Sequence, residues 1–282
     1  MNRDDAVVDA FGDEWSRYDQ SRMGAAERRE LFEQYFAIFP WDVLPEDAAG
    51  IDIGCGSGRW AIEVAPRVGR LLCIDASSAA ADVARGNLAE LANCEVLVAS
   101  VDALPVEAGS LDFAYSLGVL HHVPDTQAAI ASCADVLKPG APLLLYLYYS
   151  FENRPWWFRG LWKVSDVFRR GVSRSPYPVR NAVSTAIAIV VYWPLARLSA
   201  LLERLGMQVS VLPLSYYRHR SFYVMRTDAR DRFGTQLEQR FSRAQITAMM
   251  TAAGLEDIRF SDEVFWAAVG TRKSPETGSA QV

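Results

Sequence analysis

Asp52-Ile53-Gly54-Cys55-Gly56-Ser57-Gly58 decides the fold of this 282-residue chain. The run follows a short β-rich segment that begins at Gly50. It precedes Arg59–Val68, whose pattern predicts a helix. Glycines at these positions let the backbone turn sharply and pass close to a ligand. A helix that starts there offers free N–H groups and a partial positive charge. The spacing is GxGxG, with an acid two residues before the first glycine. Dinucleotide enzymes use GxGxxG, and here the sixth position is Arg59.

Outward from the loop, strands and helices alternate. RLLCID (70–75) reads as a second strand and SSAAADVARGNLAEL (77–91) as a helix whose serines suit its start. CEVLVAS (94–100) and SLDFAYSLG (110–118) read as strands three and four, and residues 125–137 as a helix closed by LKPG. APLLLYLYY (141–149) is apolar nearly throughout, as a strand buried on both faces is. Alternation of this kind predicts βαβ crossovers and a parallel sheet. FSRAQITAMMTAAGL (241–255) predicts a further helix, and EDIRFSD and VFWAAVGTRK a terminal hairpin.

The expected organisation is an amphipathic helical cap over 1–48, marked by Phe11, Trp15, Tyr18, Leu31, Tyr35, Phe36 and Phe39. A core over 49–149, an insertion over 150–240, a closing helix and strand pair over 241–273, and a disordered tail over 274–282 follow. The insertion holds no further βα unit. Its uncharged stretch Asn181–Ala196 contains Pro194 and is shorter than the roughly 20 residues a spanning helix needs. A helix buried beneath a lid is the expectation. Arg169, Arg170, Arg174, Arg180 and Arg197 flank the stretch, so peripheral contact of residues 155–205 with a membrane or a lipidic substrate is the alternative.

Net charge is −5 with both signs spread along the chain, which argues against nucleic-acid binding as the main task. Cys55, Cys73, Cys94 and Cys133 form no CxxC pair, and with His121, His122 and His219 they form no zinc spacing, so no metal is expected. Reduced cysteines and an acidic N-terminus without an apolar h-region point to the cytoplasm.

Two further acids carry chemistry. Asp75 ends strand two, 21 residues after Gly54, where a carboxylate accepts both hydroxyls of a ribose. That alone does not separate NAD from S-adenosylmethionine. Asp102, in VDALP (101–105), follows strand three, where a carboxylate could accept from an exocyclic adenine amine.

The order DIGCGSG, CID, VDALP, SLDFAYSLGVLHHVPD, VLKPG and FSRAQITAMMTAAGLEDI resembles class I S-adenosylmethionine-dependent methyltransferases of the UbiE-like, methyltransferase-domain type. The resemblance covers residues 50–149 well and 241–272 more loosely. It implies a Rossmann-like α/β fold: a seven-stranded, mostly parallel sheet with helices on both faces, an antiparallel last strand, and here a large helical or irregular lid insertion after strand five. It implies S-adenosyl-L-methionine as cofactor. Gly54, Cys55, Gly56 and Gly58 would run under its methionine part and Asp52 would orient the ammonium. Asp75 and Ala76 would take the ribose, Asp102 and Ala103 the adenine, and Leu117 and Gly118 would close the floor near the sulfonium.

Methyl transfer is an in-line displacement that positioning accelerates strongly, so no catalytic triad is needed. The candidate bases are His121, His122 and His219, with Tyr217 beside them. Candidate acceptor contacts are Trp15, Tyr148, Tyr216 and Arg218, together with Phe11, Tyr146, Tyr149 and Arg220. The competing reading of 215–235 is a solvated, salt-bridged hairpin or lid. The expected acceptor is a small molecule, such as a sugar, a lipid-linked intermediate or a secondary metabolite. A non-catalytic, cofactor-binding partner subunit is the alternative function.

Overall fold

A computed structural model of the chain describes residues 2–17, 23–262 and 266–274. In chain order these form α1 (Asp5–Arg17), α2 (Ala25–Tyr35), β1 (Ala49–Ile53), α3 (Ala61–Val64), β2 (Arg70–Asp75), α4 (Ser78–Asn87), β3 (Cys94–Val98), β4 (Phe113–Leu117), α5 (Thr126–Asp135) and β5 (Pro142–Tyr146). Then come α6 (Trp156–Ser173), α7 (Tyr177–Ile187), a π-helical stretch (Ala188–Tyr192), α8 (Trp193–Arg204), α9 (Phe222–Gly234), α10 (Arg243–Ala252), β6 (Leu255–Phe260) and β7 (Ala268–Arg272). Two compact units result: one of 1–20, 28–150 and 239–282, the other of 21–27 and 151–238. The expected tail over 274–282 lies, beyond Ser274, outside the described residues.

The first unit is built on one sheet of seven strands in the order β3-β2-β1-β4-β5-β7-β6. The first five run parallel, and β7 is antiparallel to both β5 and β6. This is the Rossmann-like arrangement expected. All of β4 and four of the five residues of β5 are buried, so their apolar runs report helices or chain on both faces. β1 pairs with β2 on one side and β4 on the other. Strand order reverses there, the point at which open α/β sheets bind ligands beyond the carboxyl ends of their strands. The Ser116 hydroxyl donates to the Ile53 carbonyl at 2.8 Å and ties the carboxyl ends of β1 and β4 together.

The helix expected over Arg59–Val68 is a single turn, Ala61–Val64, continued as a 3-10 turn through Pro66. Proline lacks the N–H that would extend it. With so few aligned peptides, little helix dipole reaches the glycine loop.

The second unit is helical. Val172, Ala188, Tyr192, Ala196, Met225, Ala229 and Phe233 form its core. The buried Arg169 pairs with Asp166 at 2.7 Å and donates to the Thr235 carbonyl at 2.7 Å. Two expectations are corrected here. The stretch around Asn181–Ala196 is not a buried helix: α7, the π stretch and α8 run as one 28-residue helix, and only 22% of its most apolar window is buried. Residues 215–235 are not a hairpin but a 3-10 turn and α9, since Ser221 caps the helix by accepting from Val224 N–H.

Candidate functional site

The glycine loop is pinned to the end of β2. Gly54 N–H and Cys55 N–H both donate to the Ile74 carbonyl at 2.8 Å. Gly54 and Gly56 hold φ of +77° and +54°, a region that other residues enter at a cost. A Cβ at Gly54 would lie 2.5 Å from Val119 Cγ1, so the position also lacks space for one.

Two carboxylates flank the loop. Asp75 accepts Gly56 N–H at 3.0 Å on one oxygen and Ser77 N–H at 2.8 Å on the other. Burial raises its pKa, and these two N–H groups oppose the rise. Asp52 is buried on β1, and its Oδ2 has no hydrogen-bond partner. Burial pushes its carboxyl up to about 8; the Tyr115 hydroxyl opposes the shift and the Asp75 charge reinforces it. A buried oxygen left without a partner costs free energy unless a ligand satisfies it. A cation or a hydroxyl-rich group suits this pair of acids. An anionic phosphate does not.

Helix α1 covers the loop. Asn2 N–H donates to Asp102 Oδ2 at 2.8 Å, and the Asn2 side chain bridges Asp125 in both directions. At the other end of α1, a Cβ at Gly12 would collide with Ser77, and one at Gly56 would lie 2.9 Å from the Trp15 indole. Phe11 meets His122 with ring centroids 5.0 Å apart. Trp15 thus stands against the glycine loop and Phe11 beside the histidines.

An aromatic wall continues from there. His122 lies 4.0 Å from His121, His121 stacks on Tyr148 at 3.8 Å, and Tyr148 is 6.0 Å from Tyr146. Tyr146 meets Tyr35 at 5.0 Å, and Tyr35 meets Trp60 at 5.1 Å. The Arg240 guanidinium sits over Tyr148 at 4.9 Å. Both histidines are buried. Burial holds His121 well below the usual imidazole range, with the charges of His122 and Arg240 adding to it. Such a ring is neutral and weakly basic, which suits packing better than proton abstraction.

The other expected positions scatter. Leu117 is buried at the end of β4. Gly118, at φ +81°, faces open space where a Cβ would be. Asp102 is exposed, its carboxyl held low by Ser100 and the Asn2 N–H, and Ala103 N–H donates to the Ser100 carbonyl. Ala76 is half-buried between Asp75 and Ser77.

In the second unit the candidates have partners of their own. Tyr217 donates its hydroxyl to Asp228 at 2.8 Å, and Tyr216 packs edge-on against Tyr217. Arg218 and the exposed His219 share Glu203, at 2.9 and 2.7 Å.

Tyr35, Trp60 and Tyr115 were not legible as site residues. Tyr35 and Trp60 sit in amphipathic patterns that core packing explains equally well, and Tyr115 is a strand residue whose reach toward Asp52 needs the β1–β4 pairing.

Residues 51–140 match the family described as methyltransferase domain. The chain is 37% identical over 103 residues to the ubiquinone biosynthesis O-methyltransferase of Xanthomonas axonopodis pv. citri, covering 36% of this chain and 43% of that protein. It is 36% identical over 139 residues to an uncharacterized 37.1 kDa protein in transposon TN4556 of Streptomyces fradiae, covering 48% of this chain and 39% of that one. The chain therefore spans about two fifths of the length of these curated relatives. Among solved structures, the CurJ carbon methyltransferase superposes with a TM-score of 0.55 at 12% identity, over 95% of this chain and 60% of that one, a likeness of fold alone.

Proposed function

We propose, from the premise that residues 51–140 belong to the methyltransferase-domain family, whose members take their methyl group from S-adenosyl-L-methionine, that this chain methylates a small-molecule acceptor at oxygen or nitrogen. The observation that carries the reading is the buried, unpartnered Asp52 oxygen beside a glycine loop whose Gly56 N–H is held by Asp75.

Asp52 would receive the donor's ammonium and Asp75 its ribose hydroxyls. Gly54, Cys55, Gly56 and Gly58 would pass beneath its methionine part, with Ala76 beside the ribose. Asp102 and Ala103 would approach the adenine, and Leu117 and Gly118 would floor the sulfonium. Once bound, the donor supplies a methyl carbon on a leaving group that needs no protonation. This chain's own residues would hold the acceptor in line with that carbon and take up the proton the acceptor loses. Trp15 and Phe11 would exclude water from above, and the wall of Tyr148, Tyr146 and Tyr35 would orient an apolar or aromatic acceptor. Excluding water and fixing the line of attack is the main service a protein can give this reaction. His121 and His122 are the candidates nearest this wall for the acceptor proton, and burial leaves His121 a weak base. The O-methyltransferase relatives favour oxygen over nitrogen.

Isothermal titration with S-adenosyl-L-methionine, and separately with NAD, tests the donor. Binding of the first alone, lost in Asp75→Ala, is expected, followed by methyl transfer to members of a phenol and amine panel. Folded protein that binds no S-adenosyl-L-methionine overturns the reading.

A further inference from the structure

The exposed apolar side chains are unevenly placed. Among the described residues, every large hydrophobic side chain that is strongly exposed lies between Trp156 and Phe222, except Val43 and Val98. On α6, Trp157, Leu161, Val164 and Phe168 recur at helical spacing, and Trp156 and Val167 widen the same stripe. Trp156 is 79% and Val167 73% exposed. The opposite side of α6 is the packed one, carrying Asp166, Arg169, Val172 and Ser173. Along the long helix, Ser184, Ala188, Tyr192, Ala196 and Ser199 are buried, while Ile189, Val190, Trp193, Leu198 and Leu201 stay exposed.

The charge of the same segment is one-sided. Between Trp156 and Phe222 the chain carries ten lysines and arginines and two acids, Asp166 and Glu203, in a protein of net charge −5. Asp166 is buried and paired with Arg169 and Arg170, and Glu203 is paired with Arg218 and His219. Arg159, Lys163 and Arg170 are exposed and line one border of the α6 stripe, by their spacing of four and seven residues. A depression beside α8 is lined by Arg197, Arg204, Arg218 and His219, with exposed Leu201 also in its wall.

We infer that the α6 and α7–α8 surface of the second unit docks on the interface of an anionic lipid bilayer. Apolar side chains with a basic border, and tryptophans among them, are the chemistry that membrane interfaces select. The basic residues match phosphate headgroups, each contributing modestly near an anionic surface. Docking along the surface fits better than crossing it. Tyr177–Arg204 is long and apolar enough to span, but its packed side meets α9, where Arg230 donates to Asn181 at 2.6 Å and Arg180 donates to the Gly234 carbonyl. Crossing would pull those groups into hydrocarbon, where they would have no partners. The inference does not depend on methyl transfer, because docking is read without donor or acceptor.

The test is sedimentation of the full chain with vesicles of phosphatidylcholine, with and without phosphatidylglycerol. Binding to the anionic vesicles, weakened by salt and at least about tenfold weaker on neutral ones, is expected. The double variant Val164→Ser, Val167→Ser should lose about tenfold or more in partition. The double variant Arg159→Gln, Lys163→Gln should lose the preference for phosphatidylglycerol. Both should keep the wild-type circular dichroism and melting temperature, since all four side chains are exposed. Absence of binding to anionic vesicles overturns the inference. So does a stable dimer of the wild type that the Val164/Val167 variant dissociates, because a second copy would then be what covers this face.

Discussion

The indole of Trp15 lies against Gly56, close enough that a Cβ on that glycine would sit 2.9 Å from the ring. One residue belongs to the first helix and the other to the loop between β1 and α3. The contact packs the first helix against the glycine loop.

Gly56→Ala therefore meets two penalties, a left-handed backbone at φ +54° and a collision with the indole. Donor affinity should fall about tenfold or more, given roughly 1–2 kcal/mol for the backbone alone. Trp15→Ala should weaken donor binding mainly through faster release, because it removes cover and leaves the loop conformation intact. Stopped-flow measurement of association and dissociation separates the two. Equal changes in both rates for Trp15→Ala would argue against a covering role.

Asp52 should give stability a pH slope. Its carboxyl titrates near 3.8 when unfolded and is raised to about 8 in the fold. Between those values the folded chain holds a proton that the unfolded chain has lost, so stability falls as pH rises through the window. Asp52→Asn removes the slope. The variant's melting temperature should exceed that of the wild type by more at pH 8 than at pH 5. A constant difference across that range would place the Asp52 proton elsewhere.

The same group predicts proton release on donor binding. An ammonium beside Asp52 favours the carboxylate, so donor affinity should rise with pH toward about 8 and level off above it. Titration calorimetry in buffers of different ionisation enthalpy reads the released proton directly. Heats that do not vary with the buffer would remove Asp52 from the ammonium site.

Asp75→Ala frees the Gly56 and Ser77 amides and removes the proposed ribose acceptor. Hydrogen bonds to a charged group are worth about 1.5–3 kcal/mol, so donor affinity should fall roughly tenfold to a hundredfold. Asp75→Asn should lose less than the alanine, because one amide oxygen still accepts.

In the second unit, Arg169→Met leaves the Thr235 carbonyl without its donor and removes one partner of buried Asp166. A cost of about 3 kcal/mol in denaturant unfolding is expected. Arg170→Met, whose side chain is 65% exposed, should cost less than about 1 kcal/mol.

The glycine loop, the alternating strands and the acid after β2 were legible in the sequence because each depends on neighbours along the chain. GxGxG between a strand and a turn dictates a sharp bend, and the apolar run 141–149 can only be a strand buried on both faces. The antiparallel β7 was also visible, since it follows β6 too closely for a crossover. Tertiary structure alone decided what covers the loop and what lines it. Nothing local says that Gly12 packs on Ser77, that Trp15 rests on Gly56, or that Tyr115 on β4 faces Asp52 on β1. These pairs meet only after strands far apart in sequence have taken their register. The exposure of Val164, Val167 and Val190 was likewise hidden. An amphipathic pattern says that a helix has an apolar face, and only the fold says whether another element covers it.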